Sequence, residues 1–131
     1  SKAVEIAKKI NFINDKDIFN INMIKAVAYL HDIVEDHIAI EELDKFILRN
    51  VEDNDEFYDV MWAVEQLTHI KDHKTYFKYV NDIISDYAII VKLADLNVNI
   101  ENSYKGFKKL DLYLFAREVL REKLKKIIKM P

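Results

Sequence analysis

Apolar residues recur at helical spacing along almost the whole chain. Val4, Ile6, Ala7 and Ile10 begin a first helix that fades at Asn14-Asp15. Ile21, Ile24, Val27, Ala28 and Tyr29 lead a second, which runs into the pair His31-Asp32. Ile40–Val51 reads as a third, with Glu41-Glu42 complementing the positive end of its dipole. Phe57–Leu67 reads as a fourth, with Val60, Met61, Val64 and Leu67 on one stripe. Phe57, Met61 and Trp62 are expected in the core rather than around a cofactor. Thr75–Ile84 follows, then an apolar run from Tyr87 to Leu96 that extends to Ile100. Asp111–Met130 closes the chain, and its Lys-rich end suits a helix C-terminus. Ile89-Ile90-Val91 taken alone also fits a buried strand, but no partner strand is evident, so helix is the expectation.

This pattern predicts an all-α fold, a bundle of about six to seven helices forming a single domain over residues 1–131. The length suits one domain with a real core and is too short for two. Gly106 and Pro131 are the only glycine and proline. Hairpins and tight turns need more of both, which strengthens the all-helical reading.

Composition narrows the function classes. A net charge of −3 disfavours sequence-independent binding to nucleic acid. With no cysteine there is neither a disulfide framework nor a thiolate metal site. No apolar stretch is long enough to span a membrane, and nothing resembles a signal peptide, so a cytoplasmic protein is expected. The basic residues from Arg121 to Lys129 read as a solvated face that can also steer an anionic nucleotide.

The chemistry concentrates in Ala26-Val-Ala-Tyr-Leu-His-Asp-Ile-Val-Glu-Asp36. Adjacent His31 and Asp32 interrupt an apolar helix, where neither side chain is buried cheaply without a partner. Glu35 and Asp36 follow at i+3 and i+4, one turn along the same face. An imidazole and three carboxylates on one rigid element form a donor set for a divalent metal, with a base for an activated water. A structural alternative is a buried His–Asp pair that only stabilises the helix, with Glu35 and Asp36 at a solvated helix end. Asp95 interrupts a second apolar helix in Val91-Lys-Leu-Ala-Asp-Leu-Asn-Val-Asn99, with Asn99 one turn later. A buried Asp needs a metal, hydrogen bonds or an opposite charge, and Lys92 is a candidate for that charge. His69 and His73, at i and i+4, have metal-pair spacing but are expected at a helix end and in a polar loop; His37 falls off the face of His31.

Leu30-His-Asp-Ile-Val-Glu-Asp36, Leu67-Thr-His69 and Val91-Lys-Leu-Ala-Asp95 with Asn99 together resemble the HD-domain metal phosphohydrolases. The nearest branch is the RelA/SpoT-type hydrolases of guanosine tetra- and pentaphosphate, with their small stand-alone relatives. The order and spacing fit along nearly the whole chain, and Lys109–Ala116, with Tyr113, resembles the closing helix of that branch. The resemblance implies a metal held by a first His, then His31, Asp32 and Asp95. It implies Mn²⁺, although the same nitrogen and oxygen donors also accept other divalent transition metals. Glu35 and Asp36 would orient a water and take its proton. Attack at the 3′-linked phosphate would release pyrophosphate and leave GDP or GTP. Asn99, Lys108 and Tyr113 would meet the nucleotide. No His precedes His31. Ser1-Lys-Ala-Val4 resembles the family's segment immediately after the first ligand, so that His is expected just upstream of Ser1, or else it has been lost. Two other readings stay open. One is an HD phosphatase acting on another nucleotide. The other is a degenerate HD module that binds a nucleotide or protein partner without turnover, whereas the hydrolase is expected to be monomeric or a weak oligomer.

Overall fold

The computed structural model describes residues 20–36, 55–68, 75–104, 106 and 108–129. Every regular element among them is an α-helix: α1 Ile21–Asp36, α2 Asp55–Leu67, α3 Tyr76–Asn81, α4 Asp86–Glu101 and α5 Leu110–Lys129. The all-α expectation is met. The helices expected at 4–14 and 40–51 lie outside the described residues, as do His37, His69 and His73.

Each start has a local cause. Asn20 Oδ1 accepts from the backbone N–H groups of Asn22 and Met23, satisfying donors that the first turn of α1 leaves unpaired. Thr75 does the same for α3 through Lys78 N, and Ser85 for α4 through Ala88 N. Asp86 and Asp111 put carboxylates in the first turns of α4 and α5, where the helix dipole favours them. Gly106, at φ 90°, sits between α4 and α5 in the left-handed region that a side chain opposes.

The core is organised around α4. Ala88, Ile89, Ile90, Val91, Leu93, Ala94, Leu96 and Val98 are all buried, so the helix is apolar on most of its circumference. Such a helix is stable only when surrounded. Helices α1, α2 and α5 each pack on it, and α3 packs on α5. Ile24 and Val27 come in from α1, Val64 and Leu67 from α2, and Ala116 and Leu120 from α5. Each large side chain buried here contributes roughly 1.5–3 kcal/mol. Ile89-Ile90-Val91 is helical and wholly interior. A helix buried on all sides has the same continuous apolar run as a buried strand, which is why the short segment reads both ways.

Two side-chain ties hold the connection from α2 to α4. Gln66 Oε1 accepts from Ile84 N at 2.9 Å and Ser85 N at 2.8 Å. Lys123 Nζ donates to the carbonyls of Val80, Asn81 and Ile83, neutralising the C-terminal end of α3. The helix predicted over Thr75–Ile84 therefore ends at Asn81. Ile83 turns into the core, and its neighbours bond to α2 and α5 instead of continuing the helix.

One core expectation is corrected. Met61 is buried and Phe57 packs beside it with Leu30 and Val34, but Trp62 is 46 % exposed. The inner stripe of α2 runs Val60, Ala63, Val64, Leu67, and Trp62 falls outside it. Tyr29 likewise faces out from α1. In chemical denaturation, Ile90→Ala is expected to cost about 2–5 kcal/mol. Gln66→Ala should cost about 1–3 kcal/mol, because two backbone donors lose their acceptor. Trp62→Ala should cost under about 1 kcal/mol; a loss equal to that of Ile90→Ala would contradict the placement of α2.

Candidate active site

His31 and Asp32 are neighbours in sequence with different surroundings. His31 lies four residues after Val27 and seven after Ile24, both fully buried, so it continues the inner stripe of α1. It is partly buried and its Nδ1 is shielded from solvent. Asp32, rotated by one residue, is exposed on the side that also carries Tyr29. The pair is thus not a buried His–Asp couple. Its imidazole is presented from the core and its carboxylate from the rim. Glu35 and Asp36 occupy the last turn of α1; their side chains lie outside the described residues.

Asp95 is nearly buried on α4, with a side chain 14 % exposed. Lys92, one turn earlier and 12 % exposed, donates from Nζ to Asp95 Oδ2 at 3.1 Å. The ammonium also stands 5.6 Å from the ring centroid of Tyr79 and 6.0 Å from that of Tyr76, both on α3. Tyr79 is fixed in turn by its hydroxyl, which donates to Leu67 O at 2.7 Å. Burial, with negative charge from Tyr113 and Asp95 added, pushes the Tyr76 hydroxyl up to about 12. The fold thereby gathers Lys92, Asp95, Tyr76, Tyr79 and Tyr113 from α3, α4 and α5 into one electrostatic neighbourhood.

The other expected site residues lie around these helices. Asn99 is partly buried on α4 one turn beyond Asp95, and its carbonyl accepts from Ser103 Oγ at 2.6 Å. Tyr113 is partly buried on α5 and packs against the core. Lys108 is exposed in the turn that enters α5. Tyr76 and Tyr79 carry no sequence signal that ties them to Asp95, because the link is made in space, where their rings on α3 meet Lys92 on α4. Lys92 is legible, since i, i+3 spacing puts it next to Asp95.

Among the described residues, no group of three or more His, Cys, Asp or Glu side chains could hold a metal ion. His31, Asp32 and Asp95 carry the donor types that take a divalent transition metal, an imidazole and two carboxylates, on α1 and α4, which pack against each other, but their side chains are not drawn into one cluster. A groove of about 500 Å³ between Phe77, Asp111, Leu112 and Phe115 is mostly apolar, and Asp111 is the one carboxylate on its wall.

A protein-family model described as the HD domain matches residues 1–97. The chain belongs to the HD domain family. HD domains are typically metal-dependent hydrolases and bind divalent metals. No curated protein and no solved structure matches the chain. The matched span includes His31-Asp32 and Asp95 and stops within α4. Helix α5 lies beyond it and still supplies Ala116 and Leu120 to the core of this HD domain. Among the described residues, no helix is long and apolar enough to cross a membrane.

The Tyr76 shift gives a pH prediction. Its folded pKa of about 12 lies above the ordinary value of 10.0, so the folded state keeps a proton that the unfolded state has released. Stability from this group is present below pH 10 and lost as pH rises toward about 12. Ultraviolet titration of tyrosinate should show a late-ionising phase, and Tyr76→Phe should reduce its amplitude.

Proposed function

We propose that this HD domain is a metal-dependent phosphohydrolase that cleaves the 3′-pyrophosphate of guanosine tetra- or pentaphosphate, or of a related nucleotide. The observation that carries the reading is the match over residues 1–97, which takes in His31-Asp32 on α1 and Asp95 on the adjoining α4. The narrower substrate rests on the resemblance of Val91-Lys-Leu-Ala-Asp95 with Asn99, and of Lys109–Ala116, to the RelA/SpoT-type branch.

On this reading His31, Asp32 and Asp95 hold the metal, Mn²⁺ by resemblance. The metal supplies Lewis acidity, which polarises a phosphoryl oxygen and makes water a stronger acid. Glu35 and Asp36 stand at the end of α1 to orient the water and accept its proton. Asn99 and Tyr113 face the nucleotide from α4 and α5, and Lys108 meets phosphate from the turn before α5. Water adds to phosphorus, the bond to the ribose 3′ oxygen breaks, and pyrophosphate leaves as GDP or GTP is released. A cytoplasmic location suits such a substrate.

The Lys92–Asp95 ion pair favours a second reading, a module that binds nucleotide without turnover. Metal analysis of the full-length chain, with pyrophosphate release from guanosine tetraphosphate in Mn²⁺, separates the two. Metal with release supports the hydrolase. Metal without release points to another nucleotide, and absence of both supports the binding module. Asp95→Ala should lower metal affinity at least about a hundredfold while the fold survives, since even an indirect metal partner is worth about 10–100-fold. Glu35→Ala should retain metal and lower turnover by about 10²–10⁴-fold. Loss of metal from Glu35→Ala would instead make Glu35 a ligand.

A further inference from the structure

Lys92 is the cation that the Asp95 carboxylate already has. The pair is formed within α4 at one-turn spacing, with Nζ to Oδ2 at 3.1 Å and both side chains less than 15 % exposed. Two tyrosine rings from α3 stand beside the same ammonium, at 5.6 and 6.0 Å. The charge is therefore held by groups on two helices, in a setting too enclosed for water to screen it fully.

We propose that Lys92 is a built-in counter-cation that competes with a divalent metal for Asp95, and that metal binding drives its ammonium off the carboxylate. The inference rests on the reading of Asp95 as a metal ligand. A nearly buried carboxylate without a cation is costly, so the metal-free protein needs Lys92 where it stands. A divalent ion arriving at the same carboxylate meets that charge at short range and is repelled. The rings of Tyr76 and Tyr79 lower the cost of displacement, because a cation over an aromatic face keeps a favourable interaction after the carboxylate is taken. Lys92 is thus a positioning residue. It keeps Asp95 ionised and oriented without metal, and it lowers metal affinity below what the ligands alone would give.

The test is a titration of Mn²⁺ into the full-length chain, with free ion read by electron paramagnetic resonance and no substrate present. Lys92→Gln should bind Mn²⁺ about tenfold more tightly than wild type at low ionic strength. Lys92→Arg keeps the positive charge beside Asp95, so it should not reproduce the tighter binding of Lys92→Gln. Asp95→Asn should lose at least about tenfold. A purely structural role for Lys92 would give weaker binding, not tighter, in Lys92→Gln. Unchanged or weaker binding in that variant, with binding lost in Asp95→Asn, overturns the inference and leaves the ligand reading standing. Wild-type affinity in Asp95→Asn overturns the ligand reading and the inference with it. Amine labelling of the wild-type protein, mapped by mass spectrometry, tests the same point without a variant. Lys92 should react several-fold faster when Mn²⁺ is saturating, and an unchanged rate counts against displacement.

Discussion

The burial of α4 is the constraint on which the rest of the structure depends. A helix with Ile89, Ile90, Val91, Leu93, Leu96 and Val98 distributed around its axis has no solvent face to spare. It exists because α1, α2 and α5 enclose it, and those helices acquire their inner stripes by packing on it. The approach to α4 is secured in two ways. Ser85 caps the start, with the chain ahead of it held by Gln66. Lys123 reaches from α5 to the carbonyls that close α3 just upstream.

The same burial gives the polar residues of α4 their significance. A charge in so enclosed a helix must be compensated within a few ångströms. Lys92 and Asp95 compensate one another and are flanked by aromatic rings from α3. Because α1 packs on α4, the imidazole of His31 and the carboxylate of Asp95 belong to adjoining elements of one HD domain. On the proposed reading, the packing of α4 holds Asp95 in place, as a metal ligand requires. It also raises the cost of leaving that carboxylate without a cation, which is why the pairing and the proposed chemistry are two aspects of one feature.

Much of this was legible in the sequence because helical periodicity and local spacing are short-range properties. The start of α1 and the bounds of α4 and α5 follow from apolar recurrence to within a residue. The reach of Lys92 to Asp95 follows from one turn of helix, since i, i+3 neighbours share a face in any α-helix. The family expected from His31-Asp32 and Asp95 is the one whose model matches residues 1–97. Where the reading failed, the deciding contact was remote. Hydrophobicity marked Trp62 as interior, but its position on α2 relative to Val60, Ala63 and Val64 left it outside. The chain after Asn81 departs from the helix because Gln66 and Lys123, both distant in sequence, take its backbone groups.

By itself, the sequence determined that the protein is helical and where most of its apolar stripes run. These depend on interactions spanning a turn or two of helix. Tertiary structure alone decided the environment of each group. It shielded His31 Nδ1 while exposing Asp32, brought Tyr76 and Tyr79 beside Lys92, and pushed the Tyr76 hydroxyl up to about 12. Burial and charge at a site are set by whatever packs against it, and for Asp95 that packing comes from helices that local sequence pattern cannot place in space.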